Sequence, residues 1–322
     1  MLFRSWVLIS RVIVCVLYLF AIRRALPTLK WRIPSQWSRS RELLSFGGWV
    51  LVSNVVSPVL VYFDRFALGA IAGVAAVGFY TAPYEGVTRL LLVAVSLALS
   101  LLPALTALET RGDRERATSL ISSSARTLMV VMAPPLALIF AFAPTLLHVW
   151  LGSAYAAQSS TALRILYIGV FVVALAQLPL VTLYAVNRPD LPAKFHLTEL
   201  VIHIPLTILL VRQFGIAGAA GAWTLRVGLD LCLLLAGSAR CTGVSIAAIA
   251  GGRTARVGAG VLGLGASMMV AAAFLDTAPV IASLLTFASI VGFLGLSWSW
   301  ILLSSDREAI ARIVGRYAGS PR

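Results

Sequence analysis

Nine ionisable side chains stand out because they lie in, or at the end of, apolar stretches. Arg11, Glu85, Arg89, Arg126, Arg164, Glu199, Arg226 and Asp230 fall within such runs, and Asp64 falls near the end of one. In hydrocarbon a charge costs about 2.5–3.5 kcal/mol at the centre of a span, so each needs a partner or a wet face. Glu85 and Arg89 are four residues apart, as are Arg226 and Asp230, and that spacing puts each pair on one helix face. One reading is an internal ion pair that lowers the cost of burial. The other is that Arg89 and Arg226 face a cavity, where the planar guanidinium fork hydrogen-bonds phosphate oxygens two at a time. Arg11 has no acidic partner in its own helix, so it either faces a cavity or snorkels to the headgroups. Arg126 and Arg164 lie near span ends, where headgroup contact is the expectation.

Carboxylates at membrane depth offer a second chemistry, the relay of protons or the holding of sodium. Asp64, Glu199 and His196 are the candidates for such a coupling-cation site. His196 and Glu199 are three apart on one helix face, but nothing in the sequence brings them to Asp64. A cap at the helix end, or a partnership with Arg65, is the competing role for Asp64. No metal site is expected. His148, His196 and His203 do not make a zinc triad, since His196 and His203 are two turns apart and no Cys joins them. Cys15, Cys232 and Cys241 are odd in number and unclustered. The run GAGVLG from Gly258 fits a dinucleotide fingerprint by spacing only, because no strand precedes it.

These residues must be positioned by membrane helices. Hydrophobic residues make up 60% of the 322-residue chain and charged residues 12%, about half the soluble norm. Apolar runs of roughly 20 residues recur, and a barrel would instead alternate apolar and polar positions. The expected fold is all-α and polytopic. About nine transmembrane helices are predicted, over 5–26, 43–63, 76–104, 122–143, 162–186, 194–212, 215–238, 256–275 and 279–303.

The net charge of +14 comes almost wholly from Arg. Nucleic acid is not the expected partner, because the basic residues fall in alternate connections between spans. Arg23, Arg24, Lys30, Arg32, Arg39 and Arg41 mark the first connection as cytoplasmic. Arg111, Arg114 and Arg116, then Arg188 and Lys194, then Arg240, Arg253 and Arg256, follow on the same side. The N-terminus is therefore predicted outside and the C-terminus inside. Trp31, Trp37, Trp49, Trp298 and Trp300 fall near the inner interface, and Trp6 and Trp150 near the outer one, as indole prefers. Pro58, Pro134, Pro135, Pro179 and Pro205 inside spans predict kinks.

The stretch from Leu43 to Ala82 carries the clearest family signal. Its pattern of Asp64, Leu68, Gly69, Gly73, Val77, Gly78, Tyr80 and Ala82 resembles the opening of the second half of polysaccharide flippases in the multidrug/oligosaccharidyl-lipid/polysaccharide exporter superfamily. Further segments are similar in order. They are LLPALTALETRGDRERA from Leu101, LGSAYAAQSSTALRIL from Leu151, LYAVNRPDL from Leu183 and FGIAGAAGAW from Phe214. Together they cover about 41–240.

The resemblance implies a six-helix C-terminal bundle over 41–240. Residues 1–40 would hold the last helix of an N-terminal bundle and a basic linker, and 241–322 an accessory helix pair and a cytoplasmic tail. It implies a chain lacking the first five helices of the family. It also implies the export of an undecaprenyl-pyrophosphate-linked oligosaccharide across the bacterial inner membrane, by alternating access. Arg89, Arg226 and Arg11 would then contact the pyrophosphate. The implied partners are the lipid-linked glycan, membrane lipids, and a polysaccharide polymerase or a missing N-terminal bundle. No cofactor is implied. A lipid II-type flippase, a drug/cation antiporter of the same superfamily and a non-transporting fragment remain as alternatives. An enzyme is not expected. The longest outer connection, about 144–161, has one His and no carboxylate with which to do glycosyl chemistry.

Overall fold

The computed structural model describes residues 2–25, 37–243, 247, 249, 251–275 and 277–298. Two compact units are present, Met1–Ser45 and Phe46–Arg322. In the first unit, α1 (Leu2–Ala25) accounts for the first predicted span. Arg11 is exposed on it.

The described residues are helical, with no strand among them. They form α2 (Trp37–Ala72), α3 (Val74–Thr88), α4 (Leu91–Thr110), α5 (Arg114–Ala141) and α6 (Ala143–Leu151). Then come α7 (Ser153–Ala185), α8 (Asp190–Thr242), α9 (Arg253–Ala273) and α10 (Pro279–Leu296). Among the described residues seven helices are long and apolar enough to cross a membrane. One of the seven is α8, whose 53 residues are too many for a single crossing.

Gly215 divides α8. Its φ of 54° and ψ of −125° are open to glycine and strained for any residue with a Cβ. The two limbs fold back so closely that a Cβ on Gly218 would lie 1.9 Å from the Leu210 carbonyl oxygen. The predicted spans 194–212 and 215–238 are these limbs.

The predicted span 76–104 is not one helix. It breaks at Arg89 and Leu90 into α3 and α4. There the amides of Leu90, Leu92 and Val93 donate to carbonyls three residues back, at Val87, Arg89 and Leu90. The Thr88 hydroxyl competes for the carbonyls of Tyr84 and Glu85 at 2.7 and 3.3 Å. A side chain that takes helix carbonyls weakens the regular ladder and tightens the turn.

The core is built around α7, which packs most extensively along α8. Leu166, Val170 and Ala174 of α7 meet Val211, Ala219, Ala220, Trp223 and Val227 of α8, all buried. In lipid the tails are as apolar as Leu, so this seam is held by close packing rather than by escape from water. Small residues make that approach possible on α8. On the other side of α7, α5 buries Val130, Ala133, Ala137 and Phe140 against Val257, Leu264 and Met268 of α9 and Phe293 of α10. The N-terminus of α5 is capped by Asp113, whose Oδ1 accepts from the Arg116 amide at 3.1 Å.

Several expectations meet the structure directly. Trp150 and Trp298 are exposed, and Trp49 lies half-buried with the Lys194 ammonium 5.1 Å from its ring. The side chains of Trp6, Trp31, Trp37 and Trp300, and the end of the last predicted span, lie outside the described residues. Arg126 does not reach out to headgroups. It is only 5% exposed, with Nη1 donating to the Thr254 hydroxyl at 3.4 Å, because α9 packs over this face of α5. Arg164 turns inward as well. Its Nε donates to the Phe140 carbonyl at 3.3 Å, and its guanidinium lies over the Phe140 ring.

Gly218→Ala should destabilise the protein by about 1–3 kcal/mol, the usual effect of overpacking. Gly228→Ala, with nothing within 4 Å of the added carbon, should leave stability unchanged or raise it. Thermal unfolding of the detergent-solubilised protein checks both.

Candidate functional site

Two adjoining groups of polar side chains lie in the second unit. The first sits on the α2–α3 hairpin. Asp64 is fully buried, and the Tyr80 hydroxyl donates to its Oδ2. The Arg65 amide donates to Asp64 Oδ1 at 2.7 Å, so the carboxylate is held from both sides. The Arg65 guanidinium, with Nη1 3.8 Å from Asp64 Oδ1, makes its hydrogen bonds elsewhere. Its Nη1 donates to the Val61 carbonyl at 2.7 Å and its Nη2 to Glu85 Oε1 at 3.1 Å. It lies over the rings of Tyr62 and Tyr84, at 4.9 and 4.4 Å from their centroids.

The second group spans the two limbs of α8. Arg226 Nη1 donates to Glu199 Oε2 at 3.1 Å, with the two side chains 9% and 0% exposed. Asp230 lies beside Glu199, and His196 lies close to Asp230. The Ser57 hydroxyl of α2 reaches His196 Nδ1 at 3.5 Å. His203 is buried one turn beyond Glu199, next to Thr207 and edge-on to Phe63 of α2. Glu199 Oε1, Arg226 Nε and Asp230 Oδ1 are buried and have no hydrogen-bond partner among the described residues. Buried polar atoms in folded proteins are met by protein, water or ions.

The two groups touch. Arg226 is close enough to act electrostatically on both Asp64 and Tyr84. Tyr84 packs edge-on against Trp223, at 5.3 Å between centroids. Sequence reasoning had no means to place Asp64 near Glu199 and His196, and the fold brings them into one polar core. They do not close into a single ligand shell. Among the described residues no three His, Cys, Asp or Glu side chains are placed to hold a metal ion.

The ion pairs expected within single helices are not the ones formed. Glu85 pairs with Arg65 instead of Arg89, and Arg226 pairs with Glu199 instead of Asp230. For Glu85 the cause is local. The tightened turn at Arg89 has nearer three residues per turn, which rotates Arg89 off the Glu85 face. For Arg226 the partner from the other limb is fully buried, so the attraction is less screened. Arg89 is left exposed on its helix. Arg65, expected only as a partner of Asp64, also pairs with Glu85, which helical spacing along one helix could not show.

Comparison with known proteins now bears on what this core belongs to. The matching family model is described as polysaccharide biosynthesis protein, and it covers residues 1–160. Residues 1–160 are thus similar to that family. Relatives extend the match beyond it. A Shigella flexneri protein named for O-antigen transport is 33% identical over 194 residues, 60% of this chain and 46% of that protein. EpsK, a membrane protein of Bacillus subtilis, is 25% identical over 63% of this chain and 40% of its own length. A Haloferax volcanii protein named as a flippase of low-salt glycan biosynthesis is 22% identical over 61% of this chain and 42% of its own. The matching region spans less than half of each of these relatives. The chain is thus a multi-pass membrane protein related to polysaccharide transporters and flippases, as the sequence motifs implied.

Removing one partner from the buried pair should be costly. Arg226→Met should lower stability by about 3–5 kcal/mol by leaving Glu199 uncompensated. The double variant with Glu199→Leu should recover part of that loss, which a double-mutant cycle on thermal stability would read.

Proposed function

We propose that this chain takes part in moving a lipid-linked oligosaccharide outward across the bacterial inner membrane. The reading rests on the family match together with one feature of the site. Arg89 is exposed in the middle of an otherwise apolar segment, one turn from a half-exposed Glu85. Charges in that setting face a water-filled cavity rather than lipid tails. A cavity with a free guanidinium suits an anionic pyrophosphate, and the guanidinium fork matches its oxygens.

On this reading Arg89 takes the pyrophosphate. Arg226 has a different task. It balances Glu199 and Asp230, two carboxylates against one guanidinium. The remaining negative charge is where a proton or a monovalent cation would couple to transport, with Asp64 and His196 alongside. Alternating access between two helix bundles is the motion we assign to it, with the N-terminus outside and the C-terminus inside. The sugar-bearing substrate follows the names of the Shigella and Haloferax relatives.

The test uses the complete transport system in a cell that depends on it for surface polysaccharide. Arg89→Ala should abolish surface polysaccharide at unchanged protein level, and Arg89→Lys should keep part of it. Wild-type levels in Arg89→Ala would sink the reading. Glu199→Gln should uncouple transport, so that its rate in vesicles no longer follows an imposed proton or sodium gradient. A rate that still tracks the gradient would remove Glu199 from coupling.

A further inference from the structure

The α2–α3 hairpin presents a surface that the pyrophosphate does not explain. Tyr62 is 49% exposed although the Arg65 guanidinium covers one side of its ring. Arg65 itself is only 10% exposed and fully occupied. It holds the Val61 carbonyl and Glu85, and it is wedged between the rings of Tyr62 and Tyr84. It is therefore a brace and not a free anion-binding group. Glu85 is 50% exposed, with Oε1 tied to Arg65 and no hydrogen bond from the described residues to Oε2. Phe66, one turn beyond Tyr62 on α2, is 74% exposed.

We propose that Tyr62 and Glu85, braced by Arg65, form a subsite for a sugar ring. The inference rests on the glycan-export reading and deepens it. A pyranose has one face lined with C–H groups, which packs on an aromatic ring, and a rim of hydroxyls, which donate to carboxylates. A rigid ring beside a fixed, half-exposed carboxylate offers both. Tyr62 is pinned by a guanidinium, so little side-chain freedom is lost on binding. Glu85 presents its second oxygen at a fixed angle, because the first is tied down. The same carboxylate repels phosphate, so the subsite selects the sugar part of the substrate and leaves the pyrophosphate to Arg89, one turn along. Phe66 continues the aromatic face and fits a second ring.

The test uses the purified full chain in lipid nanodiscs. Two probes are titrated: the oligosaccharide released by mild acid from the host's own surface polysaccharide, and inorganic pyrophosphate. Saturation-transfer NMR reads which sugar protons touch the protein. The expected result is strongest transfer to ring C–H protons. Tyr62→Ala should weaken glycan binding about tenfold, and Tyr62→Phe should hold it within about twofold, because stacking needs the ring and not the hydroxyl. Glu85→Gln should weaken it several-fold, and Tyr62→Ala should leave pyrophosphate binding unchanged. Retention of wild-type glycan affinity in Tyr62→Ala, with pyrophosphate still bound, would overturn the subsite and leave the export reading standing. Binding of neither probe by the wild-type chain would overturn both. Loss of pyrophosphate and glycan binding together in Tyr62→Ala, with Tyr62→Phe normal, would assign Tyr62 to the structure of the hairpin and overturn the subsite.

Discussion

A guanidinium in a hydrocarbon slab must have an anion or water beside it, and much of this bundle is arranged around where each one finds it. Arg226 finds Glu199 on the other limb of the same folded-back helix. Arg65 finds Glu85 across the hairpin, with Asp64 at its back. Each contact ties together two segments that packing alone would hold loosely, because apolar side chains gain little from one another when the solvent is also apolar. Polar contacts in lipid are individually modest, so their value here is in orientation. They fix which face of α2 meets α3 and α8.

That arrangement separates two kinds of charge. Glu199 and Asp64 are fully enclosed, and their partners are chosen by the fold. Glu85 and Arg89 stand at the edge of the same core and remain open. The enclosed set can store a charge, and the open set can meet one. Arg65, beside Asp64 and paired with Glu85, is the connection between the two.

The fold was largely legible because lipid imposes a simple code. Long apolar runs between arginine-rich connections give the spans and their order, and the Gly-Ala run from Phe214 locates the elbow in α8. The motif around Asp64 pointed to the family. Partner choice was not legible. Helical spacing paired Glu85 with Arg89 and Arg226 with Asp230, since a one-dimensional pattern sees only neighbours on one helix. The true partners are 20 and 27 residues apart, and only packing brings them together. The break at Arg89 was hidden for a related reason. It shows only as backbone bonds shortened to three residues around Leu90 to Val93, with no Gly or Pro at Arg89 or Leu90 to announce it. Arg126 was misjudged because its cover comes from α9, more than a hundred residues away.

The elbow at Gly215 has a mechanical side. Glu199 and Arg226 lie on opposite arms, roughly 24 and 16 Å from the pivot at 1.5 Å per residue. At a radius of about 20 Å, a change in the angle between the arms of about 5° moves one end by nearly 2 Å, more than a hydrogen bond tolerates. The ion pair is thus a latch set part-way along a lever. It amplifies a slight flexing at the glycine into an all-or-none event at the carboxylate. By the same leverage, neutralising Glu199 removes a tie that holds the two arms at their present angle.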